Sequence, residues 1–175
     1  MAKTPYWTND EHDRAVADLT AVYNILNYLC LSPAGLVIGS TSKKEIKIAS
    51  TTAYLNGGVF CSKTTAEVAF TVTTHDIAPS ATLVQEAVYV LSLDAAGTAT
   101  VTMGAIASGA GNAVVPATPA GGTAIGYVRI AVAAGATKFD ATSDDLDAAH
   151  LTATYVNTIN FPTTGLTSRE ISLTA

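Results

Sequence analysis

Three histidines and two cysteines are the side chains in this 175-residue chain best suited to nucleophilic or metal chemistry. Their spacing gives them no partners. His12, His75 and His150 stand apart in the sequence. His75-Asp76 has the composition of a base with an orienting carboxylate. It falls at the end of an alternating stretch, shortly before Pro79, where polar residues are expected in any fold. Cys30 and Cys61 have no CxxC spacing and no paired histidines nearby. Neither a zinc site nor a disulfide framework is expected, so both cysteines should be free thiols. Asp140, Asp144, Asp145 and Asp147 in "DATSDDLDAAH" could gather around a calcium ion. The run lacks the EF-hand spacing and its bidentate glutamate. A short helical turn capped by Ser143 or Asp144 accounts for the same residues more simply. No GxSxG elbow, P-loop, HExxH or dinucleotide glycine pattern occurs. The expectation is a protein without catalytic residues, metal or cofactor.

Composition excludes further classes. Nine Lys and Arg stand against fourteen Asp and Glu, a net charge of −5, so there is no basic face to displace counterions from nucleic acid. Lys43, Lys44 and Lys47 are the one basic cluster, interrupted by Glu45, and read as a solvated strand edge. "MAKTPYWTNDEHD" has no apolar core of signal-peptide length, which predicts synthesis in a reducing cytosol without export. No run reaches the ~20 apolar residues that span a bilayer. "GYVRIAVAAGA" comes closest and is broken by Arg129. Only 13% of residues are charged and much of the apolar share is alanine. That suits a chain whose surface largely faces other protein.

The elements that would carry any site divide into two parts. Residues 1–34 form an arm and a helix. The arm holds Pro5, Tyr6 and Trp7, and Trp7 is the sole tryptophan. An aromatic pair at a terminus is costly unless it docks. Asn9 or Asp10 can cap a helix of about twenty residues. Along it Val16, Leu19, Val22 or Tyr23, Leu26 and Leu29 recur at steps of three and four. This stripe fits an oligomer seam (Val16, Leu19, Tyr23, Leu26, Leu29) and equally fits packing on the chain's own sheet. Ser32-Pro33 and Gly35 end the helix.

From residue 35 to 175 the period is two. "LVIGS" and "KEIKIAS" read as strands, with Ile46 and Ile48 facing inward. "TTAYLNGGVFCSKTT" is a hairpin turning at Asn56-Gly57-Gly58. "AEVAFTVTTHD" alternates, and "EAVYVLSLDAAGTATVTMGA" is a second hairpin with Gly97 as its turn glycine. Ser108–Gly122 is a Gly/Pro/Ala loop of a length that signals function or mobility. "TAIGYVRIAVAAG" is the longest strand, "TATYVNTIN" is another, and "FPTTGLTSREISLTA" is a loose tail ending at most in one short strand. Strands at this spacing predict an all-β antiparallel sandwich or barrel-like domain preceded by one N-terminal helix.

Three pieces in this order carry a family likeness: "YVLSLDAAGTATVT", "PATPAGGTAIGYVRIAV" and "KFDATSDDLDAAHLTATY", with "IKIASTTAYLNGGVF" as weaker support. Together they resemble the decoration or cement proteins and head-fibre bases of tailed-phage heads, over roughly residues 86 to 156. That family has no catalytic residues to carry over. The resemblance implies a β-rich structural virion protein on the capsid exterior, bound to the major capsid protein, commonly as a homotrimer, with no nucleic-acid or membrane partner. The N-terminal helix departs from the pattern and leaves a flat cement trimer and a fibre base both open. The arm and helix are expected to make the capsid contact through Tyr6 and Trp7, with the β domain outward. A carbohydrate- or receptor-binding module of a fibre or adhesin is the alternative. It would need exposed aromatics grouped on one face, whereas Tyr54, Tyr89, Tyr127 and Tyr155 all fall in strands.

Overall fold

The computed structural model describes residues 9–70 and 75–158. Helix α1 (Asn9–Asn27) begins where the sequence places its cap. The strands among the described residues are β1 (Val37–Ile38), β2 (Glu45–Ile48), β3 (Thr52–Asn56), β4 (Val59–Lys63), β5 (Ala66–Ala69), β6 (Gln85–Leu93), β7 (Ala99–Met103), β8 (Ala107–Ser108), β9 (Thr123–Val132) and β10 (Leu151–Asn157). All pair antiparallel, in sheets ordered β1-β2-β5, β3-β4 and β10-β9-β6-β7, with β8 also on β6. The all-β, sandwich-like class with one N-terminal helix is therefore the observed one.

Alternation explains the core. Ile46 and Ile48 of β2 and Tyr54 of β3 share one buried cluster with Tyr89, Leu91 and Leu93 of β6 and Ile125, Val128, Ile130 and Val132 of β9. Burying each such side chain contributes about 1.5–3 kcal/mol, so this layered core holds the fold. Strand β6 is buried on both faces, beyond its half-burial Gln85. Its odd-numbered residues join the core, and its even face lies under the segment that follows β7. Gly111 N and Ala113 N donate to the Glu86 carboxylate, and Gly122 lies against the Ser92 side chain.

The turns follow local chemistry. Gly57 and Gly58 take φ of 58° and 78° at the β3–β4 tip, which only glycine adopts cheaply twice in succession. In the β6–β7 hairpin, Asp94 Oδ1 accepts from Ala96 N and Thr98 N, both at 2.8 Å. Gly97 supplies the positive φ of 77°. Tyr54 Oη then donates to Asp94 O at 2.7 Å and ties this tip to β3.

Several expectations change. Helix α1 ends at Asn27, so Leu29 is not on it. The chain instead pairs along β3: Leu55 N donates to Leu29 O at 2.7 Å and Leu31 N to Ala53 O at 2.8 Å. Sheet pairing has overridden a helical period that happened to continue. Cys30 and Ala34 are consequently buried in the β core, inside the segment expected to be arm and helix. Residues 140–148 form successive turns and no helix. Strand β5 stops at Ala69, and the rest of its alternating run, residues 71–74, lies outside the described residues, as does the tail from 159 onward.

The cysteines acquire a shared row. Cys30 bridges Tyr54 from one side and Cys61 pairs with Tyr54 from the other. Two strand spacings put them about 10 Å apart, beyond the reach of a disulfide. Both are free thiols. Cys30 is buried and its thiol is pushed above the usual range by desolvation, partly offset by its hydrogen bond to Ser32 O. Thiol titration of the unreduced protein should give two groups per chain in denaturant and delayed reaction of Cys30 in the native state. Finding no thiols would overturn this arrangement.

Candidate interaction surface

The chemistry-bearing residues do not converge. Among the described residues no three His, Cys, Asp or Glu side chains are placed to hold a metal ion. His12 sits exposed on α1 beside Asp13. His75 is buried against Phe70 and Tyr89, edge to face, at centroid distances of 6.4 and 5.9 Å. Burial holds its pKa below the ordinary value, with Asp76 opposing. His150 Nε2 lies 3.8 Å from Asp144 Oδ2.

The acidic run is consumed locally. Asp140 Oδ1 accepts from Thr142 N at 3.0 Å and from its hydroxyl at 2.8 Å. These bonds, with Lys138 at 3.1 Å, hold its carboxyl well below the usual carboxylate range. Asp144 accepts from Asp140 N at 2.7 Å, and Asp147 pairs with Lys43 at 2.6 Å. A turn-forming role thus stands where a helix cap was expected. The same logic governs Glu67. It accepts from Ser40 Oγ and from the amides of Ser40, Thr41 and Ser42 at 2.7–3.2 Å, which lowers its pKa to about 2. Lys47 adds a hydrogen bond to Ser40 Oγ.

The loop Ser108–Gly122 is tied down rather than loose in its first half. Glu86 is 2% exposed, and Arg129 on the neighbouring strand forms an ion pair with it. Gly111 N donates to Glu86 Oε2 at 2.9 Å and Ala113 N to Oε1 at 3.2 Å. One buried carboxylate therefore organises the loop. The sequence offers a faint signal of this, since Glu86 and Arg129 are charges inside otherwise apolar strands. The loop still presents Val114, which is 75% exposed.

What the fold leaves uncovered is α1. Val16, Leu19, Val22, Tyr23 and Leu26 are 44–69% exposed. A stripe packed on its own sheet would be buried, so these side chains are not packed on the chain's own sheet. Leu29 is half-buried and belongs to the β3 pairing. The apolar surface runs on from the helix end: Gly58 N donates to Asn27 O at 3.1 Å, and the same hairpin exposes Val59 and Phe60. Tyr6 and Trp7, the expected capsid contacts, lie outside the described residues. Of the strand tyrosines, Tyr54 and Tyr89 are fully buried, and their hydroxyls donate to Asp94 O and His75 O. They offer no stacking face to a sugar. No described helix is long and apolar enough to cross a membrane.

No protein-family model, no curated protein and no solved structure matches the chain.

Proposed function

We propose that the chain is a structural virion protein that binds the outside of a tailed-phage capsid and stabilises it by bridging neighbouring capsomers. The observation that carries the reading is an apolar helix face and hairpin left exposed beside a β domain with its own buried core. A protein that works by interface area needs such a face and a stiff body behind it. The partner is the major capsid protein, and the working form is a homotrimer, as the resemblance implies. Tyr54 and Tyr89 are fully buried and cannot serve the glycan-binding alternative, which would have to use half-buried Tyr127 and Tyr155 or exposed Tyr23 and Phe60.

The docking end is the arm and helix. The exposed α1 face supports this choice. Glu86 holds residues 111–113 of the Ser108–Gly122 loop within the β domain. Trp7→Ala, or deletion of residues 1–8, is expected to lower occupancy on shells lacking the protein while the β domain keeps its denaturant midpoint. A buried tryptophan anchor is worth at least ~2 kcal/mol in a typical interface, about thirtyfold in affinity. Undiminished occupancy, together with loss of binding on changing Val114, would reverse the proposed orientation.

A further inference from the structure

We infer that α1 is the seam of a parallel, in-register coiled coil between copies of this chain. This rests on the oligomeric reading above and specifies how the copies meet. Val16, Leu19, Tyr23 and Leu26 are spaced three, four and three residues apart, which places them at a, d, a and d of two consecutive heptads. All four side chains are exposed, at 48–69%. The flanking e and g positions inside this stretch are Thr20, Ala15 and Val22. Thr20 satisfies its hydroxyl on Val16 O at 2.7 Å, so it makes no polar demand on the seam. Between Val16 and Leu26 the one charged residue is Asp18, at c; in the preceding turns Asp10, Glu11, His12, Asp13 and Arg14 fall at b, c, d, e and f, so the apolar seam begins at Val16. From Val16 to Leu26 copies can therefore meet without like-charge repulsion along the apolar layers.

Area argues for more than one neighbour. The five apolar side chains expose on the order of several hundred Å² per chain, the size of the largest patch on a typical monomer, which is often an interaction site. A stable two-chain interface needs roughly 800 Å² from each partner. A single helix pair falls short of that. A seam shared by three helices covers both flanks of each, and contacts from the attached hairpins add to it. Val16 at a with leucine at d suits two strands as well, but Tyr23 at a and Val22 at g widen the apolar face.

Direction follows from the tether. Asn27 is bonded to Gly58 and the next residues pair with β3, so the helix leaves the β domain from a fixed end. Parallel copies put all β domains at one end of the seam, and such an oligomer would meet a shell multivalently.

Disulfide trapping tests the register in the full-length chain. Leu26→Cys places thiols of neighbouring copies within the Cα separation of about 4.4–6.8 Å that a disulfide tolerates, whereas Asp18→Cys faces away. Mild oxidation should cross-link Leu26→Cys chains into covalent dimers and leave Asp18→Cys uncross-linked. Leu19→Asp with Leu26→Asp should convert the oligomer to monomer by light scattering at unchanged β-domain stability, since both side chains are exposed in one chain. It should also lower apparent shell affinity a hundredfold or more through lost avidity. Equal cross-linking at residues 18 and 26, a parent that is monomeric at tens of micromolar, or an aspartate variant that stays oligomeric would each overturn the seam. An oligomer that fails to cross-link at residue 26 also overturns it, but leaves the oligomeric reading standing. A seam that forms as described in a protein with no affinity for shells supports the coil and sinks the decoration reading instead.

Discussion

Glu86→Ala is expected to cost about 3 kcal/mol of folding stability, the lower end of the range for removing one member of a buried ion pair. The lower end applies because the Arg129 side chain keeps 26% of its surface. The loss has two sources. Arg129 is left unpaired, and the amides of Gly111 and Ala113 lose the acceptor that replaced water. For a chain of this size a loss of that order lowers the melting midpoint by roughly 6–12 °C. Amide exchange at residues 111 and 113 should accelerate beyond the global change. Replacing both charges, Glu86→Leu with Arg129→Met, should recover part of the loss, because an apolar pair avoids desolvation. It should not recover all of it, since two loop amides remain without partners. A drop below about 1 kcal/mol in Glu86→Ala would show that the loop does not depend on this carboxylate.

The pH dependence has a definite sign. Burial alone would raise the Glu86 carboxyl. The Gly111 amide, the Arg129 guanidinium and the Ala113 amide outweigh it and hold the carboxyl below its ordinary value near 4.5. A depressed folded-state pKa gives stability that is fully present above the unfolded value and lost as pH falls through the folded one. The stability gap between the parent and Glu86→Gln should therefore be flat from pH 7 to about 5.5 and close below about 4.5. A gap that widens on acidification would contradict the assignment.

Phe139→Ala should be as damaging, at about 3–5 kcal/mol, the usual range for a buried aromatic truncated to alanine. Phe139 is fully buried and meets Phe70 and Tyr89 edge to face, at 5.9 and 6.2 Å between centroids. Its backbone also forms an isolated bridge to Ile77, with two hydrogen bonds of 3.1 Å. The truncation opens a cavity under β6 and removes the support on which Tyr89 and, through it, His75 are packed. Phe139→Leu keeps more of the volume and should cost clearly less. Denaturant unfolding of the two variants checks the order. Equal, small losses would mean that the aromatic cluster is not the keystone of this side of the core.

How much was legible in advance depended on the range of the interaction. The hairpin tips needed nothing distant. Asn56-Gly57-Gly58 and Asp94 to Gly97 carry their turn geometry in their own side chains and φ preferences, so both hairpins could be placed from the sequence. The inward face of β2 and the length of β9 were legible for the same reason, since period-two alternation is written residue by residue. The candidate site was legible only as a pattern: the stripe could be read, its exposure could not.

What the amino-acid sequence by itself determined, then, is the all-β class, the helix ahead of it, the positions of its turns and the apolar spacing along α1. Tertiary structure decided the rest, because the deciding partners are far apart in the chain. Glu86 finds Gly111, Ala113 and Arg129 at separations of 25, 27 and 43 residues, which turned an apparently loose glycine-rich loop into an ordered cover for β6. Leu29 continued the helical period, yet the backbone of β3 competed for its carbonyl and won, so the helix stops at Asn27. And whether the stripe meets a sheet or solvent depended on what the remaining strands left to cover it. They pack against one another, and the face of α1 stays open.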